Sequence, residues 1–446
     1  MSQLPTLIAD LALILICAGV MTLLFKKLKQ PLVLGYVVAG FLASPHMPYT
    51  PSVMDTANIK TWADIGVIFL LFALGLEFSF KKIVKVGGSA IIAACTIIFC
   101  MILLGIGVGM GFGWHRMDSL FLGGMIAMSS TTIIYKAFDD LGMRKKQFTG
   151  LVLSVLILED ILAIVLMVML STMAVRHNFE GSEMLESIGK LLFFLILWFV
   201  VGIYLIPELL KRCRKLMSEE TLLIVSLGLC FGMVVMAAHT GFSAAFGAFI
   251  MGSILAETVE AESIERLVKP VKDLFGAVFF VSVGMMVDPA MIVEYALPII
   301  VITLAVILGQ SLFGTLGVLL AGQPLKTAMQ CGFSLTQIGE FAFIIASLGV
   351  SLHVTSDFLY PIVVAVSVIT TFLTPYMIRF AEPASNFVDT HLPVKWKNFL
   401  LHYSSGSQTM NHESLWKKLI LALTRITIVY SIVSIAVVAL AFRFLV

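Results

Sequence analysis

Runs of roughly twenty apolar residues recur from one end of the chain to the other. Each is long enough to cross the hydrocarbon core of a bilayer as a helix. Thirteen of them start near residues 4, 31, 61, 87, 118, 148, 188, 220, 242, 272, 294, 325 and 357. Lipid offers backbone N–H and C=O groups no partner, so only helices or closed barrels span it, and runs of this length select helices. The chain is 59% hydrophobic and 13% charged, where a soluble domain carries roughly 25% charged residues. The fold class expected is therefore an all-α polytopic membrane protein. The formal net charge of +2 does not imply nucleic acid, because the basic residues fall in short clusters between apolar runs; the partner implied is the lipid bilayer.

Those clusters set the orientation. Lys26, Lys27 and Lys29 follow segment 1, Lys81, Lys82 and Lys85 follow segment 3, and Arg144, Lys145 and Lys146 follow segment 5. Lys211, Arg212, Arg214 and Lys215 follow segment 7, and Arg266, Lys269 and Lys272 follow segment 9. Odd exits are basic and even exits nearly bare, so the N-terminus is expected outside and the basic loops in the cytoplasm. The division expected is a thirteen-helix membrane domain over 1–380, with inverted repeats at about 1–180 and 220–380 and a linker helix at 188–216. A polar cytoplasmic or interfacial linker over 381–416 and an additional transmembrane helix over 417–446 follow. The N-terminus lacks a basic stretch ahead of its first apolar run, so no cleavable signal peptide is expected. The six cysteines show no metal spacing and are expected as packing thiols. The chain stops close to the end of its last apolar run, which leaves an outside terminus and a continuation into a cytoplasmic regulatory domain or subunit both open.

Segment 2 reads LGYVVAGFLAS and segment 9 FGAFIMGSILAE, so that Gly35 and Gly40 fall on Gly247 and Gly252. Segment 3 reads DIGVIFLLFALGLEF and segment 10 DLFGAVFFVSVGMMVD, so that Asp64 and Gly75 fall on Asp273 and Gly284. Copies seven helices apart insert upside down, which is the inverted-repeat pattern of secondary transporters. The same shift pairs segment 5 with 12. Segment 5 is interrupted near its centre by Ser129, Ser130, Thr131 and Thr132, and segment 12 by Ser334, Thr336, Gln337, Gly339 and Glu340. Hydroxyl side chains compete for backbone carbonyls and let a helix open. An opened centre presents carbonyls and half-helix ends to an ion. A crossed pair of discontinuous helices is expected.

Segment 6, LVLSVLILEDILAIVLMVMLSTM, places Glu159 and Asp160 at mid-membrane. Each acid there costs about 2.5–3.5 kcal/mol on insertion scales. A carboxylate out of water needs a cation or a proton, so the two compete for it. Consecutive helical residues point about 100° apart. One acid should therefore line a cavity while the other leans on a neighbouring helix. Asp10 in segment 1 and Gln310 in segment 11 are weaker polar signals within spans.

SVLILEDILAI, FFVSVGMMVD and TQIGEFAF resemble, in order, the monovalent cation:proton antiporter-2 family, with its Kef-type potassium efflux systems and sodium/proton antiporters. The resemblance spans roughly residues 5–380. It implies a sodium/proton antiporter-like fold with a core and a dimerisation domain, elevator-like alternating access, a homodimer, and Asp160 as the essential cation- and proton-binding carboxylate. Position 159 departs from the family pattern, since Kef-type members usually have Gln there and electrogenic sodium antiporters Asp. Gln310 departs too, standing where many relatives carry a membrane-embedded Lys thought to pair with the first acid.

The function expected is a secondary-active antiporter in the cell (inner) membrane, not an enzyme, exchanging K⁺ or Na⁺ for H⁺ without a cofactor or a resident metal. Asp160, Glu159, Ser130 and Thr131 are the expected cation and proton ligands. Ser129, Thr132, Thr336, Gln337, Glu340 and Gln310 are expected to support the crossing. A sodium-coupled solute symporter of related fold and a gated potassium efflux channel are the alternatives.

Overall fold

In the computed structural model, residues 6–28, 30–47, 56–77, 88–175, 206–213, 216–239, 243–395 and 397 are described. Most of segment 7, the linker helix, and the helix at 417–446 lie outside them, as does the linker beyond 397. The described residues form helices α1 (Thr6–Lys27), α2 (Leu32–Leu42), α3 (Thr56–Glu77), α4 (Gly88–Gly111), α5 (Arg116–Ile126), α6 (Thr131–Asp140) and α7 (Gln147–Val175). After a helical stretch at 206–213 come α8 (Glu219–His239), α9 (Ala244–Ala256), α10 (Ala261–Met285), the short α11 (Pro289–Glu294) and α12 (Ala296–Leu320). α13 (Leu325–Ser334), α14 (Glu340–Ser351) and α15 (Leu359–His391) complete the set. Among the described residues, eight helical spans are long and apolar enough to cross a membrane, and the chain is a multi-pass integral membrane protein. α15 runs on past residue 380 to His391, so the polar stretch begins inside a helix rather than after one.

The helices sort into two bundles by what they pack against. α1, α2, α3, α8, α9 and α10 form one; α4, α5, α6, α7, α12, α13, α14 and α15 form the other. Packing is extensive within each, whereas between them α2 against α15 is the principal helix pairing among the described residues. Glycine makes the closest approaches in the first bundle. A Cβ on Gly40 would sit 2.9 Å from Gly284 Cα, and one on Gly75 would sit 2.9 Å from Gly252 Cα. These are α2 on α10 and α3 on α9, the two contacts that interchange when segments 2 and 3 are exchanged for 9 and 10. Without a hydrophobic drive between helices in lipid, such small-residue seams supply van der Waals contact.

In the second bundle both expected interruptions are present. The first lies at 127–130, between α5 and α6, and the second at 335–339, between α13 and α14. The halves are 11 and 10 residues in the first case and 10 and 12 in the second. Each break therefore sits near the middle of its span.

Candidate functional site

An opened helix inside a membrane exposes backbone groups that need partners, and the two breaks largely supply them to each other. Gly339 N–H donates to Met128 O at 2.8 Å. Ser129 Oγ donates to Leu335 O at 3.1 Å and Gln337 Nε2 to Ser130 O at 3.1 Å. A side chain at Gly339 has no room, because its Cβ would lie 2.6 Å from the Ser129 carbonyl carbon. The helix that follows each broken pair completes the set. On α7, Glu159 Oε2 accepts the Ser129 N–H at 3.1 Å. On α15, Thr370 Oγ1 accepts the Ile338 N–H at 3.3 Å and Ser367 Oγ donates to Ile338 O at 3.1 Å. Gln310 Nε2, from α12, donates to Ile126 O at 3.3 Å, a free carbonyl at the end of α5.

Glu159 and Asp160 thus part company as their angular separation requires. Glu159 is 1% exposed and braces the first break. Asp160 lines a cavity of about 470 Å³ between the two bundles. Its Oδ2 accepts a hydrogen bond from Thr131 Oγ1 at 3.0 Å. Thr131 is the first residue of α6, whose N-terminal partial positive charge favours an anion there. Thr132 and Glu340, the latter opening α14, line the same cavity. The first bundle contributes Lys26, Glu77, Lys272 and Asp273. Lys272 Nζ lies 2.9 Å from Glu77 Oε1. Four carboxylates and two ammonium groups surround the space, so it attracts cations. At roughly 30 Å³ per water, it holds on the order of a dozen waters, enough for a cation to arrive hydrated.

Of the residues singled out by sequence, Asp160, Thr131, Thr132 and Glu340 come together on the cavity. The others gather at the crossing. Ser130, expected among the cation ligands, is fully buried as the N-cap of α6, its Oγ accepting the Ile133 N–H at 3.3 Å. Thr336 and Gln337 are equally buried, and Thr336 Oγ1 donates to Phe333 O within its own turn. Glu340, expected only to steady the crossing, faces the cavity instead, and its Oε2 has no hydrogen-bond partner. Gln310 and Glu159 each bond a different backbone group of the same break. Sequence reasoning missed Glu77 and the roles of Lys272 and Asp273. Asp273 had surfaced only as a repeat marker and Lys272 only as a topology signal.

Comparison with known proteins places this geometry. Residues 11–381 match the family model described as sodium/hydrogen exchanger, transmembrane. YbaL of Escherichia coli (strain K12) is 32% identical over 82% of this chain and 67% of its own length. The K(+)/H(+) antiporter subunit KhtU of Bacillus subtilis (strain 168) is 30% identical over 77% of this chain and 86% of its own. Among solved structures, that of the sodium proton antiporter MjNhaP1 from Methanocaldococcus jannaschii superposes with a TM-score of 0.63, covering 86% of this chain and 98% of that one at 16% identity. The last likeness is one of fold. A match over most of the chain's length, with relatives at this identity, is decisive: the chain belongs to the transmembrane sodium/hydrogen exchanger family.

Proposed function

We propose that this protein exchanges a monovalent cation, K⁺ or Na⁺, for protons by alternating access, with Asp160 as the group for which cation and proton compete. It is a secondary transporter and not an enzyme. The observation that carries the assignment of Asp160 is its position: it lies within the span of α7, lines the cavity between the bundles and is held by Thr131 at an α6 N-terminus. Thr131 and Thr132 supply neutral oxygens, and Glu340 a second carboxylate on the same wall. Glu159 and Gln310 hold the break open rather than meeting the ion.

Sparse contact between the bundles supports movement of the second as one piece against the first, since the hydrogen bonds joining the breaks lie within it. The symmetric glycine contacts support two inverted repeats. The cavity opens beside the last turns of α1 and α3, the face that carries the basic loops; with those loops in the cytoplasm and the N-terminus outside, this state faces inward. The family resemblance supports a homodimer in the cell membrane, with a cytoplasmic regulatory domain or subunit as a further partner.

The test is a proteoliposome exchange assay with K⁺, Na⁺ and Li⁺ across pH. Asp160→Asn should abolish cation-induced proton movement while the protein still purifies as a folded species. Exchange at the wild-type rate in that variant would overturn the assignment.

A further inference from the structure

Lys60 and Asp64 on α3 fall on Lys269 and Asp273 on α10 at an offset of 209, the offset that also brings Gly75 onto Gly284. The cavity shows where the axis relating the two copies passes. Leu71 and Phe280, Thr131 and Glu340, and Thr132 and Phe341 are pairs at the same offset, and all six line it. Residues that share a space with their own counterparts lie near that axis, so the floor of the cavity is common to both repeats. Asp273 departs from this pattern. It lines the cavity eleven residues before Gly284, on a helix that enters from the basic face. Asp64 stands eleven residues before Gly75, on a helix that enters from the opposite face. At 1.5 Å per residue each acid is roughly 16 Å from its glycine seam, one towards either side of the membrane.

Asp64 is exposed, as Asp273 is, and its charge acts on the hydroxyl of Tyr360, near the start of α15 in the second bundle. It therefore sits at the outer end of the seam between the bundles, where Asp273 sits at the inner end. Lys60, one turn earlier on α3, acts on Asp64, and Asp273 acts on Lys272, so each end carries an acid beside an ammonium group. When inverted copies exchange conformations, each residue takes on its counterpart's surroundings. We propose that Asp64 gathers cations at the outer mouth of the outward-facing state, lining there the space that Asp273 lines here on the inner side. This rests on the alternating-access reading above. A carboxylate at a cleft mouth raises the local cation concentration before an ion reaches the binding group, which is Asp160 from either side.

The test uses the full chain in membrane vesicles of defined sidedness, right-side-out or inverted, from an antiporter-deficient bacterial host. Exchange is driven by an imposed pH gradient while K⁺ or Na⁺ is varied in the bath. Asp64→Asn should raise the apparent KM about three-fold for cation presented at the outer face, the effect of one unit charge at about 10 Å. The KM at the inner face should keep its wild-type value. Asp273→Asn should do the opposite. Asp64→Glu keeps the charge and should keep both KM values, and Asp64→Ser takes the place of Asp64→Asn should that variant not fold. Equal changes at the two faces in the neutral variant, or none at either, would overturn the proposal. Exchange surviving in Asp160→Asn would instead overturn the reading on which it rests.

Discussion

Glu159 Oε2 accepts the Ser129 amide at 3.1 Å, and this bond turns an acid at mid-membrane into part of the helix crossing. An opened backbone N–H in the bilayer interior needs an acceptor, and α7 carries one at the residue before its cavity-lining carboxylate.

Glu159→Gln keeps an oxygen for that amide, so exchange should persist, with a changed number of charges moved per cycle. Glu159→Ala leaves the amide unpaired and should cost about 1–3 kcal/mol, measured as thermal stability of the purified protein. If Glu159→Gln silenced exchange as fully as Asp160→Asn, Glu159 would be a proton carrier and not a brace.

Gln310→Leu removes the donor to Ile126 O and should lower stability by about 1 kcal/mol. Gln310→Lys restores a donor and adds a charge next to the break that Glu159 also serves. The pH dependence of exchange should then differ from wild type; an identical profile would separate Gln310 from the titrating groups.

Removing Lys272 takes a positive charge from beside Glu77 and leaves the cavity more negative. Lys272→Gln should lower the apparent KM for the cation several-fold, with a steeper dependence on ionic strength, and Glu77→Gln should raise it. Unchanged KM values in both would show that this pair does not influence entry.

Gly284→Ala would drive a Cβ to 2.1 Å from Val37 O, backbone that cannot give way. Overpacking of this kind costs about 1–3 kcal/mol or more, and yield and thermal stability should fall. Gly107→Ala, with nothing within 4 Å, should instead gain up to about 1 kcal/mol from helix propensity. Similar outcomes at the two positions would contradict the packing of α2 on α10.

Much of this was legible in the chain. Twenty-residue apolar runs specify spanning helices because lipid allows little else, and hydroxyl clusters at 129–132 and 334–336 marked both breaks. The angular step between Glu159 and Asp160 foretold that only one would meet the cavity. Less legible was the division of labour around it. Ser130 and Thr131 are adjacent hydroxyls, and only the exact start of α6 decides that the first caps the helix and the second bonds Asp160. Glu77 and Lys272 are 195 positions apart, so their pairing waits on the packing of α3 against α10. Glu340 looked like a strut because its local sequence says nothing about which side of α14 faces the opening.

Asp160, Glu159 and Glu340 all ride on the second bundle, while Glu77, Asp273 and both lysines belong to the first. If that bundle travels, it takes three carboxylates through the membrane's electric field and leaves the mouth charges behind. Each carboxylate that crosses without a proton or cation couples to voltage by about 2.3 kcal/mol per 100 mV for a full crossing. The sensitivity of turnover to membrane potential therefore counts how many of the three are neutralised on each stroke.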